Sequence, residues 1–244
     1  MSLLKGERVC KDFGGLRAVH NVDFEVREGE IVGLVGPNGA GKTTLFNVIS
    51  GYYAPTAGKV HFNGQEIQGL KPFQICRMGI ARTFQVPRPL LRLSVYTNIL
   101  AACLFGRSEA AAPVDNRAEV ERIMDFLDLN ALRDTPAANL NVAQRKTLEV
   151  GRALATAPSL ILLDEVVAGL NSMETDRLMH KVRQIRDSGV TLFFVEHVMR
   201  AVMSISDRIY VLNFGEKIAE GTPEHIAGNP AVIEAYLGRG VHSA

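Results

Sequence analysis

Apolar and polar positions along the chain switch between two periods. Residues 22–26 and 31–35 read as strands, the second running directly into a glycine-rich turn. Residues 42–50 have helical spacing, with Leu45, Val48 and Ile49 on one apolar face. Residues 59–62 form another strand pattern, closed by the turn pair Asn63-Gly64. Residues 160–163 and 190–195 are short continuous apolar runs, as expected of central strands in a parallel sheet covered on both faces. Residues 209–212 and 217–219, joined by Phe214-Gly215-Glu216, predict a closing hairpin. Residues 94–157 are helical in pattern, with a flexible break predicted at 110–116. Alternating strands and helices with a helical insert predict an α/β fold.

Composition narrows the class. A chain of 244 residues buries about 70% of its unfolded surface and needs no disulfide or metal to fold. Lys plus Arg is 27 and Asp plus Glu is 26, so no excess positive charge points to nucleic acid. Cys10, Cys76 and Cys103 lack metal-type spacing and even pairing, and read as reduced thiols of a cytosolic protein. The first ten residues lack the apolar block of a signal peptide, and no run of about 18 apolar residues predicts a membrane span. Any pore must come from another polypeptide.

Two segments carry chemistry. Gly36-Pro37-Asn38-Gly39-Ala40-Gly41-Lys42-Thr43 fits G-x-x-x-x-G-K-[ST] between a strand and a helix, with Thr44 following it. Its glycines let backbone N–H groups wrap round phosphates, aided by the helix N-terminus. Lys42 is expected at the β- and γ-phosphates and the Thr43 hydroxyl on Mg²⁺. The plain alternative is a turn that only joins strand to helix. Residues 160–165 place Asp164 and Glu165 at the end of a buried strand, where α/β sheets bind ligands. Asp164 is placed to hold Mg²⁺ through its water shell, and Glu165 to orient or deprotonate a water. The alternative there is a solvated acidic pair in a turn.

Further segments join these in a fixed order: Phe13-Gly14-Gly15-Leu16, Ile80-Ala81-Arg82-Thr83-Phe84-Gln85, Ala168-Gly169-Leu170-Asn171, Val195-Glu196-His197 and Glu220-Gly221-Thr222-Pro223. With the ending Val232-Ile233-Glu234-Ala235-Tyr236-Leu237, the chain resembles ABC-transporter ATP-binding subunits, most of all those of branched-chain amino acid importers. The resemblance implies a P-loop NTPase (RecA-like) core with an antiparallel β subdomain and an inserted helical subdomain. It sets one ABC ATPase domain over 1–244, with 1–86 and 158–244 as core and 87–157 as the helical part. It implies ATP and Mg²⁺ as cofactors, Gln85 bridging Mg²⁺ or the attacking water, His197 contacting the γ-phosphate and Glu165, and Phe13 stacking on adenine. The plain alternatives are a surface role for Gln85 and a core role for Phe13; for His197 a structural role is the favoured reading without the resemblance.

The resemblance also implies integral-membrane permease subunits, a second ATP-binding subunit, an indirectly acting solute-binding protein, and a place on the cytoplasmic face of the membrane. An exporter, a lipid-moving complex and a weakly hydrolysing switch are the competing readings. The family's L-S-G-G-Q signature is here Leu140-Asn141-Val142-Ala143-Gln144. Ala143 replaces a glycine, so its Cβ is expected to crowd a phosphate or resist a glycine-type backbone angle. Asn141 is a good helix N-cap, and a side chain turned back on its own helix is lost to a nucleotide. Val166 and Val198 are smaller departures that remove no catalytic atom. Because each signature completes the partner's site, the altered one favours a heterodimer with an intact subunit.

Overall fold

Residues 2–107 and 115–237 are described in the computed structural model. The strands are β1 (Ser2–Phe13), β2 (Leu16–Arg27), β3 (Ile31–Val35), β4 (Ala57–Phe62), β5 (Gln65–Glu66), β6 (Ile80–Arg82), β7 (Leu160–Asp164), β8 (Thr191–Val195), β9 (Arg208–Asn213) and β10 (Glu216–Gly221). The helices are α1 (Lys42–Ile49), α2 (Pro72–Met78), α3 (Val95–Gly106), α4 (Asn116–Phe126), α5 (Val142–Ala155), α6 (Ser172–Asp187), α7 (Met199–Ile205), α8 (Pro223–Ala227) and α9 (Pro230–Leu237). Two compact units divide the chain: Met1–Lys71 with Thr191–Ala244, and Pro72–Val190.

The first unit holds an antiparallel sheet in the order β2-β1-β4-β5. In β2, Val22, Phe24 and Val26 are buried while Asp23 and Arg27 are exposed, the alternation of a sheet solvated on one face. Asn63 and Gly64 take left-handed φ values of 49° and 74° and turn β4 into β5, as their turn chemistry requires. The second sheet of this unit sets β3 in parallel pairing between β8 and β9, with β10 antiparallel on β9. Every residue of β3 and β8 is buried, which is why these strands read as unbroken apolar runs. Arg208 fastens the edge, donating to Glu30, Glu220, the Tyr210 hydroxyl and the Glu25 carbonyl.

The second unit pairs β6 with β7 in parallel, Ile80 opposite Leu160 and Arg82 opposite Leu162. The predicted helical stretch contains α3, α4 and α5. Val95, Ile99 and Cys103 of α3, Val120, Ile123 and Met124 of α4, and Leu148 and Val150 of α5 are among its buried apolar residues. Ser94 caps α3 by accepting from the Thr97 N–H, and Asp115 caps α4 by accepting from Arg117 and Ala118. The predicted break at 110–116 lies outside the described residues except for Asp115 and Asn116. The hydrophobic pattern did not single out α6, whose apolar stripe is only Leu178, Met179, Val182 and Ile185 on a polar helix.

Gly33 of β3 shows how tightly α7 is laid down. A Cβ there would stand 2.8 Å from Val202 Cγ1 and 2.9 Å from Ser206 Oγ. Gly33→Ala is therefore expected to lower stability by about 1–3 kcal/mol in urea denaturation, the usual cost of overpacking.

Candidate functional site

In the first unit, the loop 36–41 is shaped by what lies behind it. Gly36 has φ 150°, and a Cβ there would meet the Leu212 carbonyl oxygen at 2.1 Å. Gly41 has φ 99°, and its Cβ would meet the Ala18 carbonyl oxygen at 2.4 Å. Only glycine fits at either position. The hairpin turn between β9 and β10 fixes the loop from behind, since Gly215 N donates to the Ala40 carbonyl at 3.1 Å. Gly41 caps α1 without a side chain, so no capping group covers the first N–H groups of that helix. Lys42 is buried, and its ammonium donates to the Gly36 and Pro37 carbonyls at 2.7 and 2.9 Å. The Thr43 side chain is exposed and that of Thr44 half-buried. A glycine-rich loop running into a helix start, with a buried lysine bonded across it, is suited to a phosphate chain.

Phe13 ends β1 and is 41% exposed, enough ring for a planar base to stack on. It meets Tyr53 edge to face at 5.1 Å, and the Lys11 ammonium sits 5.1 and 5.6 Å from the two ring centres. Lys11 is tethered there by donating to the Ala54 carbonyl at 3.0 Å. His197 is exposed in the same unit, two residues beyond β8.

In the second unit, β7 delivers Asp164 and Glu165, both buried. Arg82 Nη2 lies 2.8 Å from Asp164 Oδ2, with the two side chains only 7% and 3% exposed, so the pair is desolvated and fixed in direction. Asp164 N donates to Thr83 Oγ1 at 3.0 Å, and Gln85 Nε2 donates to Glu165 Oε2 at 2.7 Å. Glu165 has φ 49°, a left-handed conformation that costs a non-glycine residue about 1–3 kcal/mol. Lys146 of α5 donates to the Glu165 carbonyl at 2.5 Å. Glu149, one helical turn on, accepts the Arg88 N–H at 3.0 Å and so anchors the segment that follows Gln85.

The signature segment opens α5. Asn141 Oδ1 accepts from Gln144 N at 2.9 Å, and Gln144 Oε1 accepts from Asn141 N at 3.0 Å, forming a capping box. The expected loss of the Asn141 side chain to its own helix is therefore present. The expected resistance of Ala143 to a glycine-type angle is corrected: Ala143 lies within α5 and has no left-handed φ, because a helical turn accepts alanine readily. Val142 is 56% exposed, so its bulk faces outward from the helix start.

Sequence reasoning brought out Gln85, Asp164 and Glu165, which the structure gathers in one unit, but assigned nothing to Arg82, Lys146, Glu149 or Tyr53. A signal existed for two of them: Lys146 and Glu149 fall at i and i+3 on the stripe shared with Val150 and Ala153, where a charge needs a reason.

The ABC transporter family profile matches residues 19–168. The chain belongs to that family as an ATPase. A second profile, the branched-chain amino acid ATP-binding cassette transporter, matches residues 216–242. The high-affinity branched-chain amino acid transport ATP-binding protein LivG of Salmonella typhimurium is 42% identical over 240 residues, spanning 93% of this chain and 94% of its own. BraF of Pseudomonas aeruginosa, with the same description, is 41% identical over 239 residues, again 93% and 94%. Among solved structures, the ADP conformation of MJ1267, an ATP-binding cassette of an ABC transporter, superposes with a TM-score of 0.87 at 33% identity, covering 98% of this chain and 99% of that one. This ABC ATPase thus has the P-loop NTPase fold expected from its motifs.

Burial pushes the Glu149 carboxyl above its ordinary value, against the opposing pull of Arg152 and of the Arg88 and Phe84 N–H groups. A raised carboxyl stabilises the fold below the ordinary carboxylate range and loses that contribution as pH rises through the raised value. Glu149→Gln keeps an acceptor and removes the titration, so its stability should fall less between about pH 4 and pH 7 than the parent's. Glu149→Leu should cost about 1–3 kcal/mol at every pH, because the Arg88 N–H loses its acceptor. Urea denaturation at the two pH values checks both.

Proposed function

We propose that this ABC ATPase binds and hydrolyses Mg²⁺-ATP to power an importer of branched-chain amino acids. The observation that carries the hydrolytic part of the reading is the Gln85–Glu165 hydrogen bond of 2.7 Å, which holds a carboxylate in a fixed direction at a strand end. Glu165 acts as the general base on the attacking water, a contribution of about 10²- to 10⁴-fold in rate. Lys42 and the backbone N–H groups of the loop from Gly36 to Thr44 other than Pro37, with Asn38, Gly39, Ala40 and Gly41 among the donors and Pro37 shaping the loop, bind the phosphates. Phe13, braced by Tyr53, stacks on the adenine. His197 contacts the γ-phosphate.

Thr43, Asp164 and Gln85 offer a hydroxyl, a carboxylate and an amide oxygen, the hard donor set that suits Mg²⁺. When bound, the ion neutralises phosphate charge. Arg82 fixes the Asp164 carboxylate for that role.

No helix among the described residues is long and apolar enough to cross a membrane. Integral-membrane permease subunits supply the path, a solute-binding protein delivers to them, and the ATPase works on their cytoplasmic face. The relatives' transport of branched-chain amino acids, and the match of residues 216–242 to that subfamily, support the choice of solute. Asn141, Val142, Ala143 and Gln144 meet the partner's nucleotide, and the capping box withholds the Asn141 side chain from it. This favours a heterodimer with a subunit of intact signature over a homodimer with two weakened sites.

The test is reconstitution with the permease and binding protein. Leucine, isoleucine or valine should stimulate ATP turnover, and a transporter that responds to none of them contradicts the assignment. Lys42→Ala should weaken ATP binding in calorimetry by about tenfold or more, equivalent to about 1.4 kcal/mol. The double change Asn141→Ser with Ala143→Gly should raise turnover of the assembled transporter, up to the roughly 10²- to 10³-fold attached to one transition-state donor. Helix stability should fall at the same time by about 1 kcal/mol, because glycine replaces alanine in the first turn while serine keeps the cap.

A further inference from the structure

Lys146 lies in α5, four residues beyond Val142, where that helix begins. It is 5% exposed, and a buried ammonium persists only where it is well partnered. Its Nζ donates at 2.5 Å to the carbonyl of Glu165, a charge-assisted bond across 19 residues of sequence. The same carbonyl accepts the Ala168 N–H at 3.3 Å. Glu165 has a left-handed φ of 49°, a conformation that a side chain keeps only when its surroundings impose it. The peptide leaving Glu165 is therefore held from the signature helix, while Gln85 holds the Glu165 carboxylate at 2.7 Å.

We propose that Lys146 is a positioning residue for Glu165, tying the orientation of the catalytic carboxylate to the helix that carries the signature segment. The inference rests on the reading of Glu165 as general base. Lys146 touches no reacting atom in this account. It sets the backbone from which the carboxylate projects, and Gln85 sets its far end. A shift of α5, whose start carries Asn141 and Gln144, is passed through one rigid helical turn to the Glu165 peptide. The signature helix thus reaches the hydrolytic machinery of its own chain as well as serving the partner's nucleotide.

The experiment compares the parent with Lys146→Met, Lys146→Arg and Glu165→Gln in the assembled transporter. Lys146→Met should lower kcat by about 10- to 100-fold, the scale attached to a misplacement of about 1 Å. The KM for ATP and the affinity for ADP should stay within about twofold, since neither reports the position of the base. Lys146→Arg, which can still donate to the carbonyl, should recover most of the lost turnover. In the Glu165→Gln background, Lys146→Met should cause no further loss, because the two residues act as one unit. Thermal unfolding checks that each variant is folded. If the Met variant is not, Lys146→Gln takes its place with the same expectation, since its shorter amide falls short of the carbonyl. Parental kcat in the Met or Gln variant, failure of Arg to rescue, or an equal further loss in the Glu165→Gln background would overturn the proposal. If Glu165→Gln itself turns over ATP at the parental rate, the reading of Glu165 falls. If Glu165→Gln is inactive and the Lys146 variants are parental, only the role of Lys146 falls.

Discussion

A charge taken out of water must be met by another charge or a dipole, and that constraint organises the end of β7. Asp164, Glu165, Lys146 and Glu149 are all buried, and each has a named partner within the same unit. Arg82 answers Asp164, Gln85 answers the Glu165 carboxylate, and the Glu165 carbonyl answers Lys146. Glu149 answers the backbone just after Gln85. Such a cluster is costly to assemble and gains little net stability over an apolar core. What it supplies is direction: two carboxylates whose orientation is fixed before any substrate arrives, the preorganisation on which electrostatic catalysis depends.

The phosphate loop is preorganised by a different means. Its glycines are required by packing, since Leu212 and Ala18 carbonyls leave no space for a Cβ at Gly36 and Gly41. Lys42 bridges the loop by bonding to the Gly36 and Pro37 carbonyls, so its ammonium is held against the loop in a fixed place. The closing hairpin, which carries no catalytic group, matters because Gly215 supports Ala40 from behind. One half of the chemistry is therefore set by backbone shape and the other by buried polar pairs.

This contrast explains what the sequence made legible. Gly36, Gly41, Lys42 and Thr43 fall at a fixed local spacing that can be read directly, although the carbonyls that demand glycine at 36 and 41 lie far off in sequence. The strands β3, β7 and β8 were equally plain, because burial on both faces forces continuous apolar runs. Asn141 as a cap was also readable, since capping reaches only to Gln144. Arg82 was not, because its partner lies 82 residues away and nothing local announces the pairing. Lys146 and Glu149 were concealed as ordinary charges on a helix until their stripe proved to be the buried one. The sequence could not show the backbone angle at Ala143; with α5 beginning at Val142, alanine there takes a plain helical angle.

The account turns on a water deprotonated beside Glu165 and delivered to a triphosphate gripped at Lys42. Its most direct test is rapid-quench measurement of a single turnover, following phosphate formed from prebound ATP in the assembled complex. Replacing Glu165 by glutamine should leave ATP bound with the parent's affinity and slow its cleavage by about 10²-fold or more. Cleavage at the parental rate in that variant would contradict the account at its centre.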